Sequence, residues 1–266
     1  MRFFNFFKRR NYNKSKVIIN SKVIKGNSNA EVKKFNEMLT KSSSGISNIY
    51  IQSDVVVNLK ATNTNDITAY LHGEAICNGI DFDITSTMNS VTISTKFNSN
   101  PIVLNGNVNN ISCSNVIING SSISIGGCIS SNLVLDIEIP MKLFESIRMQ
   151  THNASIKIDN SISVNLISVS CHNGKIEIFS PFEQLSINTH NGSIFINSYA
   201  ETNPTLNISA HNGSINIKLP NVDTSKIYTK TINGSCSNSL RMNKSLNCEY
   251  IASGSITTHN GSIRIN

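Results

Sequence analysis

Histidine is the residue type whose spacing in this sequence could support metal chemistry. Five of the six histidines recur at one place in a repeated motif. If the copies stack one strand spacing apart, about 4.8 Å, neighbouring imidazoles could share a transition metal. No acid recurs beside them, although metal sites usually add such a ligand or partner. Corner side chains stacked ring on ring are therefore the favoured interpretation, and a metal site is the alternative. The five are His152, His172, His190, His211 and His259.

The other chemically active residue types form no recognisable site. No Cys-x-x-Cys spacing occurs, which argues against a zinc knuckle. The acids of the repeat region are scattered, and the sequence holds no nucleophile–base arrangement or phosphate-binding glycine loop. The sequence therefore predicts no catalytic residue, no cofactor and no enzyme activity. The cysteines are Cys77, Cys113, Cys128, Cys171, Cys236 and Cys248.

The motif that carries the histidines reads THNGSIFI at residues 189–196, and five further copies begin at positions 151, 171, 210, 231 and 258. Its asparagines lie 20, 18, 21, 21 and 27 residues apart, a near-constant step that is typical of stacked structural units. Asn and Gly suit a sharp corner, so we predict a structural turn in each copy. The predicted turn residues are Asn153, Asn173, Gly174, Asn191, Gly192, Asn212, Gly213, Asn233, Gly234, Asn260 and Gly261.

Apolar residues alternate with variable ones on both sides of each turn, which predicts a strand, a corner and a second strand. One copy has too few inward residues to form a core, whereas stacked copies would bury them continuously. The predicted fold is all-β, a single-stranded parallel β-solenoid (β-helix) with coils of about 20 residues. A meander of hairpins is the alternative, because Asn-Gly also suits hairpin turns.

A short N-terminal helix is predicted ahead of the β-structure. Ser28 and Glu31 have capping-box spacing, and Gly45 is a plausible stop. The predicted organisation is a tail at 1–27, a capping helix at 28–45 and a β-solenoid domain at 46–266. Within that domain, irregular coils span 46–140 and regular repeats span 141–266. The apolar stripe of the helix would be Val32, Phe35, Met38 and Leu39.

The N-terminal tail holds the positive charge of the chain. Residues 1–25 carry eight cations and no acid, whereas the formal net charge of the whole chain is +7. The remaining residues are therefore nearly neutral, which argues against nucleic-acid binding. Phenylalanines followed by cations fit contact with an anionic membrane surface, and a tail that contacts nothing is the alternative. The predicted membrane-contact residues are Phe3, Phe4, Phe6, Phe7, Lys8, Arg9 and Arg10.

The apolar run in this tail is shorter than a signal-peptide core, and no stretch has the length of a transmembrane helix. We therefore expect a cytoplasmic protein, or one held peripherally at the inner face of the membrane. Reduced thiols are the matching expectation for the cysteines, and disulfides are the alternative for an exported protein.

Four segments in a fixed order resemble a bacterial family of putative adhesins with β-strand repeats, a domain of unknown function. They are IYIQSDVVV at 49–57, YLHGE at 70–74, LDIEIP at 135–140 and the Asn-Gly-Ser-Ile array. The resemblance covers roughly residues 46–266. It implies a β-solenoid-like, non-enzymatic protein of the cell envelope, and it supplies no catalytic residue.

Two functions follow as hypotheses. The first is an adhesin-like interaction or scaffold module associated with the cell envelope. The second is a self-assembling filament, similar to the bactofilin cytoskeletal proteins. The expected partner is another protein, or a second copy paired through the C-terminal coil, because nothing follows the last strand at 262–266 to cap its edge. The tail adds peripheral membrane contact, and no nucleic acid is expected.

Overall fold

The computed structural model describes residues 16–19, 22–25, 27–28, 32–98, 102–105, 116–119, 122–125, 128–238 and 248–266. Every regular element in these ranges is a β-strand. Across the same residues, no helix is long and apolar enough to cross a membrane. The predicted membrane-contact residues at positions 3–10 lie outside the described part.

The strands of the first half are β1 Lys16–Ile19, β2 Lys22–Lys25, β3 Asn27–Ser28, β4 Val32–Ser42, β5 Asn48–Ser53, β6 Val56–Thr62, β7 Asp66–Cys77, β8 Ile80–Ser86, β9 Ser90–Phe97, β10 Ile102–Asn105, β11 Val116–Asn119, β12 Ser122–Ile125, β13 Cys128–Ser131 and β14 Val134–Pro140. Those of the repeat region are β15 Leu143–Thr151, β16 Ile156–Ile158, β17 Ser163–Asn173, β18 Ile176–Ile178, β19 Phe182–Asn191, β20 Ile194–Asn197, β21 Thr205–Asn212, β22 Ile215–Lys218, β23 Val222–Asn233, β24 Cys236–Asn238, β25 Tyr250–Asn260 and β26 Ile263–Ile265.

The described chain forms two compact units. In the first, β1 pairs antiparallel with β2, and a four-stranded sheet has the order β11, β12, β10, β3. The end of β7 pairs antiparallel with β13, which places Cys77 opposite Cys128. The first unit gathers the described parts of Met1–Lys33, Ala75–Gly79 and Phe97–Ser131, and the second those of Lys34–Glu74, Ile80–Lys96 and Asn132–Asn266.

The second unit contains one sheet from each side of the motif corner. The strands ahead of the corner belong to the upstream sheet, in the order β23, β25, β21, β19, β17, β15, β5, β9, β8. The strands after it belong to the downstream sheet, in the order β7, β14, β6, β16, β18, β20, β22, β26, β24. Equivalent residues of neighbouring copies pair in parallel register, for example Ile176 with Ile194 and Ile194 with Ile215.

The core of this unit consists of the inward columns of both sheets. Ile187 and Ile194 are each 1% exposed, and their equivalents in neighbouring copies are similarly buried. Full burial of an Ile side chain contributes about 2 kcal/mol, so stacked apolar columns are the main source of stability. The predicted in-register stacking of strand, corner and strand is confirmed.

The predicted fold class is wrong at the level of the whole domain. β14 lies between β6, with which it pairs parallel, and β7, with which it pairs antiparallel. A parallel β-solenoid or β-helix contains only parallel pairs between coils, so the observed fold is an all-β fold with mixed sheets. The physical reason is that residues 46–140 lack the repeat, and their strands pair by burying alternating faces rather than by stacking copies.

The predicted N-terminal helix is also wrong. Residues 32–42 form strand β4, which pairs with β7 at the edge of the downstream sheet. Val32 and Met38, two members of the predicted apolar stripe, are 56% and 67% exposed. Half of the stripe therefore faces solvent, and backbone pairing with a sheet edge outweighs local helix propensity.

The expected edge at the end of the chain is wrong as well. β26 pairs parallel with β22 on one side and with β24 on the other, and Ile265 is fully buried. The last copy is inserted between the fourth and the fifth. Among the described residues, both sheets therefore end at the fifth copy, in β23 and β24.

Candidate functional site

The upstream sheet arranges five imidazoles in one continuous stack, which we call the His ladder: His152, His172, His190, His211 and His259. Neighbouring ring centroids are 4.8 to 5.0 Å apart, and the ring planes differ by 3° to 9°. The spacing equals that of paired strands, because each ring projects from the same position of its copy. All five side chains are exposed, with their faces covered by each other and their edges directed to solvent.

The next residue of each copy belongs to a hydrogen-bonded Asn column. Asn191 Nδ2 donates to Asn173 Oδ1 at 2.8 Å, and Asn212 Nδ2 donates to Asn191 Oδ1 at 2.7 Å. The same bond joins every neighbouring pair, so the order in space is Asn153, Asn173, Asn191, Asn212, Asn260, Asn233. All the amides point in one direction, and the column holds the corners and the imidazoles in register.

A second column of outward side chains lies three residues before each corner asparagine and continues in register into β5 and β9. We call it the polar column. Gln52 pairs in register with Gln150, and the series continues along the sheet. Every member can hydrogen-bond, and all but the last are uncharged. The polar column comprises Ser94, Gln52, Gln150, Ser170, Asn188, Ser209, Thr257 and Lys230.

A groove of about 710 Å³ runs between the His ladder and the polar column. It crosses the five copies that carry a histidine, and it ends against Lys230 and Ile232 of strand β23. No carboxylate is among its described lining residues. A second depression on the same face includes Tyr50 and Arg148 and shares Gln150 and Ser170 with the groove. The groove and the adjoining depression are therefore lined without acids over the described residues.

The floor of the groove is formed by small residues that anchor the corners. Thr151 Oγ1 donates to the carbonyl of Ala154 at 3.2 Å, and Thr258 Oγ1 donates to that of Gly213 at 3.2 Å. Cys171 takes the same position in its copy, and burial raises the pKa of its thiol against a smaller lowering by the neighbouring Thr151 and Thr189. A thiol with a raised pKa is a poor nucleophile, so Cys171 serves packing.

The geometry of the His ladder does not suit a metal ion shared between neighbours. Imidazole nitrogens bind zinc at about 2.1 Å, so two nitrogens on one ion lie at most about 4.2 Å apart. Nearly parallel rings with centroids 4.8 to 5.0 Å apart keep equivalent nitrogens farther apart than this. Over the described part of the chain, no group of three or more His, Cys, Asp or Glu side chains is placed to hold a metal.

The sixth histidine belongs to a separate cluster on the downstream sheet. His72 Nε2 lies 2.9 Å from Asp136 Oδ2, and Asn58 donates to Asp136 Oδ1 at 2.8 Å. Tyr70 stacks on His72 with ring centroids 4.6 Å apart. Both oxygens of the carboxylate are therefore engaged with neighbouring strands, as in a cross-strand surface pair.

The outer face of the downstream sheet differs from the groove in charge. Lys60 and Glu138 form an ion pair at 2.8 Å, and the hydrogen bond and charge of Glu138 raise the pKa of Lys60 against a smaller desolvation effect. Lys175 and Glu177 pair at 2.6 Å. This face therefore carries both cations and acids, whereas Lys230 is the one lysine or arginine in the described groove lining and no acid is among it.

Sequence reasoning located part of this site. The structure stacks the five histidines ring on ring beside the corner, and it places each motif asparagine at or just after the end of an upstream strand. The polar column was missed, because each of its positions looks like an ordinary solvent-facing residue when read alone. Its signal was available in the alignment of the copies, where Gln, Ser, Asn, Thr and Lys occur and no acid does. The pairing of His72 with Asp136 joins residues distant in sequence and had no local signal.

No protein-family model matches the chain, and no curated protein matches its sequence. Its backbone is similar to the crystal structure of a putative cell adhesion protein from Clostridium sporogenes, with 13% identity, a TM-score of 0.47, and coverage of 88% of this chain and 99% of that one. It is also similar to a putative adhesin from Bacteroides fragilis, with 10% identity, a TM-score of 0.40, and coverage of 87% and 97%. A putative adhesin from Parabacteroides distasonis shows 7% identity, a TM-score of 0.34, and coverage of 90% and 98%.

Proposed function

We propose that this protein is a non-catalytic, adhesin-like binding module whose ligand lies along the groove of the upstream sheet. The observation that carries the proposal is the groove itself, in which one row of imidazoles faces one row of hydroxyl and amide groups across five copies. A repeated set of hydrogen-bonding groups at a constant spacing matches an extended ligand that offers partners at intervals.

An array of polysaccharides and envelope polymers, probed with the full chain, tests this function. Ser170→Arg combined with Ser209→Arg would fill the groove without removing an imidazole, since both serines are exposed members of the polar column. We expect these substitutions to abolish the strongest array signals while the thermal unfolding temperature stays close to that of the wild type.

The matched control is Asn197→Arg, which adds the same side chain at an exposed end of β20 on the other sheet. It should leave the array pattern unchanged. Loss of signal in the control alone, or equal signals in all three proteins, would assign binding to another surface or to none.

The proposal extends to peripheral attachment at an envelope membrane through the tail. Insertion of the phenylalanines and attraction of the cations would make full-length protein float with anionic vesicles and detach as salt rises. Replacing Phe3, Phe4, Phe6 and Phe7 by Ser should abolish flotation. Unchanged flotation of that variant, or no flotation of the wild type, removes the anchor from the proposal.

Self-association is the second candidate function, and the observation that favours it is the edge at the fifth copy. Within the described residues, β23 and β24 pair on one side only, and Tyr228 on this edge is 59% exposed. Sedimentation velocity at rising concentration would show a second copy pairing there. Tyr228→Lys with Ser237→Lys should keep the protein monomeric by charging both edge strands. A wild type that is monomeric at every concentration rules this candidate out.

A further inference from the structure

We infer that the groove binds an acidic polysaccharide, with its sugar hydroxyls on the polar column and its acid groups on the His ladder. This assignment rests on the proposed binding function and names the class of its ligand. It follows from the different chemistry of the two walls and from the distribution of charge around them.

The polar column is suited to sugar hydroxyls. Serine, threonine, asparagine and glutamine side chains both donate and accept hydrogen bonds, as does a hydroxyl of the ligand. The column is continuous over eight paired strands of the upstream sheet, so an extended chain could make the same contact repeatedly. A ligand without hydroxyl groups would use only the imidazole wall.

The His ladder is suited to binding acid groups when its imidazoles are protonated. A neutral imidazole has one donor and one acceptor nitrogen, whereas a protonated one has two donors and a positive charge. Histidine ordinarily gains that proton near pH 6.5. Adjacent charged rings about 5 Å apart repel each other, and an acid group bound along the ladder would offset the repulsion. Acid binding and protonation therefore favour each other.

The charged groups near the ladder support a negative ligand. Lys230 lines one end of the groove, and Arg148 lies in the adjoining depression. Cys171 is a buried thiol on the floor, and Lys175 beyond the corner is paired with Glu177. The acid nearest in sequence to this face is Asp54. It directly follows Ser53, which pairs with Thr151 at the end of the ladder formed by His152. The ladder therefore has one cation at an end of its groove and another in the adjoining depression, with no acid in the described lining of either.

Polygalacturonate and its methyl ester test the inference as a matched pair, because they share a backbone and differ in charge. Calorimetric titration of the full chain should show binding of the acid form about tenfold tighter near pH 5.5 than near pH 7.5. At the lower pH, the methyl ester should bind more weakly than polygalacturonate, and its own affinity should depend little on pH. Added salt should weaken only the acid form.

Two variants and one control variant locate the effect. Replacing His172, His190 and His211 by Gln should reduce affinity for the acid form about tenfold near pH 5.5 and flatten its pH dependence. The control His72→Gln changes the histidine outside the ladder and should have no effect. Asn188→Asp leaves every imidazole in place but adds a carboxylate to the groove, and it should weaken binding of the acid form by a similar factor.

The outcomes separate this inference from the function on which it rests. Equal, groove-dependent binding of the methyl ester overturns the acidic class and leaves the binding function intact. Equally tight binding of polyglutamate or single-stranded DNA would show a site for charge alone and would overturn the polysaccharide assignment. Absence of any ligand sensitive to Ser170→Arg with Ser209→Arg overturns both.

Discussion

The Asn column gives each corner residue a defined role as donor, acceptor or both. Asn191 donates to Asn173 and accepts from Asn212, whereas Asn153 only accepts within the column. Asn191→Asp removes the donor and places two acceptors face to face, so we expect a loss of about 1 kcal/mol in the free energy of unfolding. Asn153→Asp keeps its acceptor and should be almost neutral. Urea denaturation of both variants measures the difference, and equal losses would contradict the direction of the column.

The alternation between core and surface is sharpest in β20. Ile194 is 1% exposed, whereas the neighbouring Phe195 is half-buried and points outward, where it contacts Phe179 edge-on. Ile194→Asp places an unpaired charge in a stacked Ile column and should cost about 4 kcal/mol or more. Phe195→Asp loses only surface contacts and should cost far less. Similar thermal melts of the two variants would show that the face assignment is wrong.

Burial also sets the reactivity of the cysteines. Desolvation raises the pKa of Cys77 and of Cys171, and both side chains are buried, whereas Cys236 is exposed. Because the thiolate is the reactive form, alkylation of the native protein near pH 7.5 should label Cys236 before Cys77 and Cys171. Cys77 and Cys171 should react only after unfolding. Peptide mapping by mass spectrometry would reveal the order, and early labelling of Cys171 would contradict its burial.

The burial of individual side chains could be predicted where the motif is repeated. The apolar columns could be assigned to the core, because alternation with a period of two is repeated in each copy. Cys236 is an exception. Its equivalents are buried isoleucines, but it is exposed because its strand β24 has a described partner on one side only. That outcome depends on the order of the copies in space, which the sequence does not encode locally.

At the level of the element, the corners depend on close approach between stacked backbones. A Cβ on Gly192 would lie 2.1 Å from the carbonyl oxygen of Gly174, and one on Gly213 would lie 2.0 Å from that of Gly192. Ala154 holds the same position in the first copy, with no motif corner preceding it in the stack. Gly192→Ala should therefore destabilise the protein by about 2 kcal/mol or more, while Ala154→Gly should change stability by less than about 1 kcal/mol.

Chemical denaturation of these two variants provides the measurement. Tolerance of Gly192→Ala would contradict this constraint, because it would show that stacked corners can move apart without loss of stability. Positive φ also favours glycine at Gly174 and Gly261, but the close contact is common to the corners and is the stronger constraint.

Elements were predictable where their partners are copies of themselves. Each motif gives a strand, a corner and a strand as expected, since the local pattern and the stacking agree. Strand β4 is the opposite case, because its helical capping-box and apolar stripe are overridden by pairing with β7. The antiparallel contact of β7 with β14 joins residues far apart in sequence, and periodicity cannot reveal such a partner.

At the scale of the whole molecule, the last two copies are stacked in the reverse of their order along the chain, which the sequence does not predict. β25 and β26 are paired on both sides, whereas β24 is paired with β26 alone among the described strands. Amide hydrogen exchange should therefore be slower in β26 than in β24, because exchange from an edge strand needs only local opening. Faster exchange in β26 would place the C-terminal strand at the edge and contradict the order.

The binding role of the groove is tested most directly by histidine-selective NMR during titration of the full-length protein with polygalacturonate near pH 6. The five imidazoles of the His ladder should shift together and saturate at one common ligand concentration, because they line one continuous groove. The ring of His72, on the other sheet, should not move. Ladder resonances that stay unchanged while the polymer binds, or a shift confined to His72, would contradict a ligand in this groove.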